Sequence, residues 1–408
     1  MRSRPGSDST DDGSRSEHAE RSVDRRTLLS SGAAVLGGTV LAGCTGGGNG
    51  DGDGDDGDGG GDTGGDDGGN GGSGDDGSDG GSGNDDTTNV AIVSSPAGFD
   101  DNAFNDLALE GLQSAAEEYD IDINQVEETE QAQYQSTQSE LAASGDYDLI
   151  VLVSYNHTEA LTQNAVDYPD QNWMLINDHV DEPNVAGYTW ANHEMSYQAG
   201  VLAGTMTTRE LTHEGNSNDP DGTNVGFVGG VDGALINAFE RAYVAGVKWV
   251  NEDVDVSTGY IGNYTDTQTA ANIAASQYDS GADIVYQAAA AAGQGVFQAA
   301  QESDRFAIGV DADQSRTLPD YQDVIMGSAV KYINRGTHQV AEAVVQDNWS
   351  SVQGQNVLGL EQEAVDLVKG QAIGPNLPDA VDQNLQDAKD GIASGDITVP
   401  CTASGCQN

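Results

Sequence analysis

The chain has 408 residues, enough for two domains of ordinary size. It carries 68 acidic against 15 basic side chains, for a formal net charge of −53. A surface this acidic repels nucleic-acid phosphates and anionic lipid headgroups, which excludes a nucleic-acid-binding role. It suits a protein kept soluble in strong salt, where charge repulsion is screened within a few ångströms.

Residues 1–24 are polar and poor in apolar side chains, so no packed structure is expected of them. Arg25-Arg26 then precedes an apolar, Gly/Ala-rich run from Leu28 to Ala42, which resembles a Tat export signal. The run is shorter than the ~20 residues that span a bilayer. It ends in Leu41-Ala42-Gly43-Cys44, which resembles a lipobox with Cys44 as the lipidated residue. Residues 1–43 are thus expected to be a lipoprotein signal peptide. Residues 44–88 are almost only Gly, Asp, Ser, Asn and Thr, with nothing large to bury. They read as a disordered acidic tether rather than a calcium-binding repeat, because no fixed period is present. This order places a folded unit outside the cell, lipid-anchored to the outer face of the cytoplasmic membrane. Cys401 and Cys406, the other cysteines, are expected to pair as a disulfide in a C-terminal tail of residues 401–408.

From Asn89 onward the pattern is α/β. Apolar runs at Val90–Ser94, Tyr147–Val153, Trp173–Asn177 and Val185–Tyr188 predict buried parallel strands. Helical stretches at Asn102–Tyr119 and Gln133–Ser144 lie between them. A second set follows, with strands at Val225–Gly229, Ser257–Gly262, Ile284–Tyr286 and Phe306–Val310. Its helices are Gly233–Asn251, Asp266–Ser280 and Gly293–Glu302. This predicts two doubly wound lobes with a cleft between facing strand ends. Residues 210–222, rich in Asn, Asp and Gly, read as an exposed loop.

Informative residues fall at these strand ends. The segment Phe99 to Asp106 enters a helix; an aromatic there can stack on a planar ligand or simply serve the core behind a helix cap. Ser154-Tyr155-Asn156 follows one strand and Asp178 another. A carboxylate at Asp178 can accept hydrogen bonds from neighbouring sugar hydroxyls, or cap a turn. Gly293-Gln294-Gly295 allows close backbone approach at a helix start. The strand around Ile325–Val330 ends in Lys331, in a chain whose other lysines are Lys248, Lys369 and Lys389. A lysine there calls for a ligand or a carboxylate partner rather than solvent.

Taken together, these segments resemble the basic membrane protein family of ABC-transporter receptor lipoproteins, here with a halophilic, archaeon-like composition. The resemblance rests on Asp101-Asn102-Ala103-Phe104-Asn105, on Val228-Gly229-Gly230 with Phe239 and Ala245-Gly246-Val247, and on Gly293-Gln294-Gly295-Val296. It rests further on Gly309-Val310-Asp311-Ala312-Asp313-Gln314 and on Ser328-Ala329-Val330-Lys331. Asn102 stands where the family usually has Lys, and Ala290-Ala291-Ala292 replaces a more Gly-rich approach. The resemblance implies a type I periplasmic-binding-protein fold and a nucleoside ligand, with purine favoured. It implies an aromatic sandwich by Phe104 and Phe239, a base-edge contact by Asn105, and ribose contacts by Asp178, Asp311 and Lys331. Backbone near Gly293 would approach the ligand, and Asp101 and Ser154 join the candidate ligand-binding residues. The implied lobes are 89–193 with 331–355, and 194–330 with 356–400, joined by three crossings that act as a hinge.

The expected partners are a nucleoside and the permease subunits of an ABC importer, with the chain itself a monomer. An enzyme is the first rival. The six histidines show no metal-ligand spacing, and no Gly-x-Ser-x-Gly elbow, P-loop or free nucleophilic cysteine is present. No cofactor and no metal are therefore expected. A ligand-binding sensor, or a receptor for another small polar solute such as a sugar, remains the alternative.

Overall fold

The computed structural model describes residues 87–406. The expected export signal, Cys44 and almost all of the tether lie outside the described residues.

In chain order the first elements are β1 (Thr88–Val93), α1 (Phe104–Glu118), β2 (Ile121–Val126), α2 (Tyr134–Ser144), β3 (Leu149–Val153), α3 (Thr158–Asp167), β4 (Asn172–Ile176) and β5 (Val185–Trp190). Next come α4 (Asn192–Met206), β6 (Thr212–His213), β7 (Asn216–Ser217), β8 (Asn224–Gly229), α5 (Ala234–Val250), β9 (Asp255–Tyr260) and α6 (Thr267–Asp279). They are followed by β10 (Ile284–Ala288), α7 (Gln294–Glu302), β11 (Phe306–Asp311), α8 (Gln314–Thr317) and β12 (Ile325–Lys331). The last are α9 (Ile333–Val345), β13 (Gly354–Leu358), β14 (Val365–Lys369) and α10 (Asp379–Ser394).

These elements build two α/β lobes. One six-stranded sheet has the order β13-β5-β4-β3-β1-β2 and the other β14-β12-β11-β10-β8-β9. The strands pair in parallel, except that β14 runs antiparallel to β12. The central strands are buried along almost their whole length because helices cover both faces. β3, Leu-Ile-Val-Leu-Val, is buried throughout. The edge strand β2 alternates half-buried and exposed positions instead.

The chain passes between the lobes three times, from β5 to α4, from β12 to α9 and from β13 to β14. α4 packs on α5, α10, β12 and β14, whereas α9 packs on α1. Two of the expected divisions cut a strand: Lys331, expected in the first lobe, ends β12 and pairs with Val365 in the second sheet, and the division at 355 splits β13. Pairing of β13 with β5 holds Asn356, Val357 and Leu358 in the first sheet. α4 and α5 approach closely at glycines: a Cβ on Gly246 would lie 2.1 Å from the Tyr197 carbonyl oxygen.

Two expectations need correction. Residues 210–222 are not a free loop, because β6 and β7 form a small antiparallel hairpin with Asn216 and Asn218 buried beside it. Asn218 Nδ2 donates to the Met206 carbonyl (2.7 Å) and Asn216 Nδ2 to that of Asp323 (3.0 Å), so these polar side chains satisfy backbone oxygens. Nor do residues 401–406 hang free. Cys401 and Cys406 are bonded, and the Cys406 amide donates to the Ala234 carbonyl at 2.7 Å.

Candidate ligand-binding cleft

The carboxyl ends of the strands face each other and enclose about 500 Å³ of space that opens to solvent. Lobe one contributes Ser95 and Pro96 after β1, Phe104 at the start of α1, Ser154–Asn156 after β3 and Asn177 after β4. Lobe two contributes Leu235, Ile236 and Phe239 from α5, Tyr264, and Ala288–Ala290 after β10. The ends of β11 and β12 supply Val310, Asp311 and Lys331.

Lys331 is the inner anchor of this space. Its side chain is 2% exposed, and Nζ lies 3.0 Å from Asp311 Oδ1 and 3.3 Å from Asn192 Oδ1. The same ammonium sits 4.7 Å from the centre of the Phe104 ring and 5.7 Å from that of Phe239. One ring from each lobe thus flanks a single cation, an arrangement that their negative π faces favour. The contact to Asp311 is ionic rather than an aligned hydrogen bond, so Oδ1 remains open to a donor from a ligand. A buried charge pair of this kind is costly unless each partner is well satisfied.

The backbone is held in the sparsely populated left-handed region around this space. Asp100, Asn102, Ser154, Asn177, Ala290 and Asp311 have φ values of 62°, 55°, 109°, 70°, 48° and 66°. Such conformations cluster where a protein aims groups at a ligand. Ala290 is the notable case. It stands in the Ala290-Ala291-Ala292 run, and it has no polar side chain to offset the strain.

Of the expected site residues, Phe104, Ser154, Phe239, Asp311 and Lys331 come together around the cleft. The others are placed differently. Asp101 caps α1: its carboxylate accepts from the amides of Ala103 (3.0 Å) and Asn105 (3.1 Å) and from Asn105 Nδ2 (2.8 Å). Burial pushes its pKa up to about 6, against the opposing pull of those hydrogen bonds. Asn105 does not line the cavity. Its Oδ1 accepts from the Ser95 amide and its Nδ2 donates to Ser95 Oγ, each at 2.8 Å, so its amide fixes the end of β1. Gly293 lies behind the cavity wall, where a Cβ would meet the Gln287 side chain at 2.1 Å; Ala288–Ala290 take the wall position. Asp178 lines an adjoining compartment and accepts from Thr158 Oγ1 at 2.7 Å and from the His179 amide at 2.9 Å.

The structure adds Tyr264, Asn177 and Asn192, which the sequence did not single out. The hydroxyls of Tyr155 and Tyr264 meet at 3.2 Å across the lobes. Asn177 is 9% exposed, yet its Oδ1 has no partner. Asn192 supports Lys331 from the first turn of α4. The one signal available for Asn177 was its position at the end of an apolar strand. His157, just after the Ser154–Asn156 segment, is buried. It stacks on Tyr134 with ring centres 3.7 Å apart, and Nε2 donates to the Ser94 carbonyl at 2.9 Å. Burial lowers its pKa to about 4, only partly offset by that bond. Among the described residues no group of three or more His, Cys, Asp or Glu is arranged to hold a metal ion.

Known proteins share this organisation. A family model described as "ABC transporter substrate-binding protein PnrA-like" matches residues 88–403. The "CD4+ T-cell-stimulating antigen" of Listeria monocytogenes is 31% identical over 76% of this chain and 87% of that protein. The "ABC transporter nucleoside-binding protein BmpA" of Lactococcus lactis is 30% identical over 76% of this chain and 88% of that protein. Among solved structures, an ABC transporter solute-binding protein from Aeropyrum pernix superposes with a TM-score of 0.67 at 24% identity. That match covers 77% of this chain and 94% of the other, and it shows the shared fold.

Proposed function

This chain belongs to the Bmp family of ABC transporter substrate-binding proteins, a family of binding proteins rather than enzymes, and from that premise we propose that it captures a nucleoside, with purine favoured, for an importer. The observation that carries this reading is the pair of rings, Phe104 and Phe239, one from each lobe, with centres 4.7 Å and 5.7 Å from the Lys331 ammonium that pairs with Asp311. Two aromatics lining one cleft suit a flat heterocycle, and base–aromatic stacking contributes roughly 1–3 kcal/mol per base. The open acceptor of Asp311 and the ammonium of Lys331 suit hydroxyls attached to that heterocycle. The Lactococcus relative, named as a nucleoside-binding protein, supports the same ligand class.

The crossings at Trp190–Asn192, Lys331–Ile333 and Leu358–Val365 serve as the hinge in this reading. The closed lobes present the loaded protein to permease subunits. The ligand is held by a monomer anchored outside the cell through a lipid on Cys44, with the acidic segment after it as a spacer. No described helix is long and apolar enough to cross a membrane, so attachment in this reading rests on the lipid. The net charge of −53 fits work in strong salt.

A thermal-shift screen of the full chain in molar KCl tests the ligand class. The panel holds purine and pyrimidine nucleosides, free bases, ribose and amino acids. A ligand that binds the folded state raises the melting temperature by mass action. Upward shifts with purine nucleosides, larger than with base or ribose alone, are expected. A shift confined to a sugar or an amino acid would replace the ligand while keeping the receptor.

A further inference from the structure

The cleft continues beyond the aromatic pair into a second compartment of about 530 Å³, again open to solvent on one side. Lobe one supplies Tyr155, Asn177 and Asp178; lobe two supplies Val231 and the stretch Gly233–Ile236 at the start of α5. The remaining wall is Ser404, from the loop closed by Cys401 and Cys406. This loop is seated on the helix that lines the ligand space. The Cys406 amide bonds the Ala234 carbonyl, and Gly405, at φ 106°, packs so tightly that a Cβ there would lie 2.6 Å from the same oxygen. Two residues on, Ile236 lines both compartments.

We propose that the Cys401–Cys406 loop is a wall of the ligand cleft, and that Ser404 limits how far a ligand extends at its sugar end. This rests on the nucleoside reading above. The chemistry of the compartment supports it. The unpartnered, nine-tenths buried Oδ1 of Asn177 and the carboxylate of Asp178 accept hydrogen bonds. Opposite them, the first amides of α5 begin after Gly233 with no side-chain cap, and they donate. Acceptors on one side and donors on the other match a neutral hydroxylated group. A phosphate would meet the Asp178 carboxylate with no cation among the residues lining the compartment. With the base at the rings and the ribose on Lys331 and Asp311, the 5′ end of a nucleoside continues past Tyr155 and Asn177, which line both compartments, toward Ser404.

The test is calorimetric titration of the full chain with adenosine and with 5′-deoxy-5′-(methylthio)adenosine, which adds a neutral 5′ extension. Wild type is compared with Ser404→Trp and with the double variant Cys401→Ser/Cys406→Ser. Ser404 is exposed, so Ser404→Trp leaves the core intact, and melting curves verify both variants. Wild type is expected to prefer adenosine. Ser404→Trp is expected to weaken adenosine by about tenfold or more. The double variant is expected to bring the two affinities at least about tenfold closer together, because the wall is no longer held on α5. Wild-type binding of adenosine, with every variant within about twofold of it for both ligands, overturns the wall while leaving the nucleoside reading standing. A wild type that binds neither compound overturns both.

Discussion

Lys331 and Phe104 belong to different lobes, yet the Lys331 ammonium lies 4.7 Å from the centre of the Phe104 ring while paired with Asp311 at 3.0 Å. Lys331 ends β12 at one interlobe crossing, and its other partner, Asn192, begins α4 at another. The cation therefore ties two interlobe crossings, a lobe-one aromatic and a lobe-two carboxylate into one buried unit. In the proposed reading, ligand contact and hinge share the same side chain.

Replacing Lys331 separates its structural role from its binding role. Lys331→Met leaves the Asp311 carboxylate buried without its cation, which should destabilise the fold by about 3–5 kcal/mol. The double variant Lys331→Met/Asp311→Leu removes both charges and should recover most of that loss without recovering ligand binding. Denaturant unfolding and ligand titration on the same variants measure the two effects.

In the proposed reading the rings act through stacking. Phe104→Ala and Phe239→Ala should each weaken nucleoside binding by about 1–3 kcal/mol. The corresponding Leu variants keep the apolar volume and should recover stability more fully than affinity. Similar losses for ribose alone would show that the rings serve packing only.

Ala290 holds φ 48° without a side chain that favours it. Ala290→Gly should raise the unfolding free energy by up to about 1 kcal/mol, the left-handed strain outweighing the added chain entropy. Ala291→Gly, at a neighbouring position without positive φ, should lower it by a similar amount. Thermal melts of the pair decide the point.

His157 should govern part of the acid response. Its folded pKa of about 4 lies below the ordinary imidazole value of 6.5 because burial disfavours the imidazolium. The folded state then binds fewer protons than the unfolded chain between those values. His157 therefore contributes stability above pH 6.5 that is lost as pH falls towards 4, roughly 3 kcal/mol in all. Asp101 and Asp283, raised to about 6 and about 7 by burial, act in the opposite sense: the folded state loses stability as pH rises through their window. Comparing wild type with His157→Gln isolates the histidine. The variant's stability should fall less on acidification from pH 7 to pH 4.5. Equal slopes would mean that His157 is already charged or exposed in the fold.

Much of this was legible because buried parallel strands are continuous apolar runs. β3 and β4 stood out from composition alone. β2, Ile-Asp-Ile-Asn-Gln-Val, did not, since an edge strand needs only one apolar face. α4 is buried nearly all round, so it has no polar stripe to set its period. β13 and β14 join their sheets through partners far away in the chain, which no local pattern reveals. The strand-end rule found Phe104, Asp311 and Lys331. It could not tell that Asn105 turns inward to Ser95, or that Gly293 sits behind Gln287, because that depends on side-chain direction. Positive φ at Ser154, Asn177 and Ala290 was invisible, as none of them is a glycine.

Equilibrium titration of the full chain with a purine nucleoside in molar KCl, beside Lys331→Met, tests the central claim most directly. One-site binding to the wild type with a Kd of about 10 μM or tighter, lost in the variant, is the expected result. Absence of binding to any nucleoside, or equal binding by Lys331→Met, would contradict it.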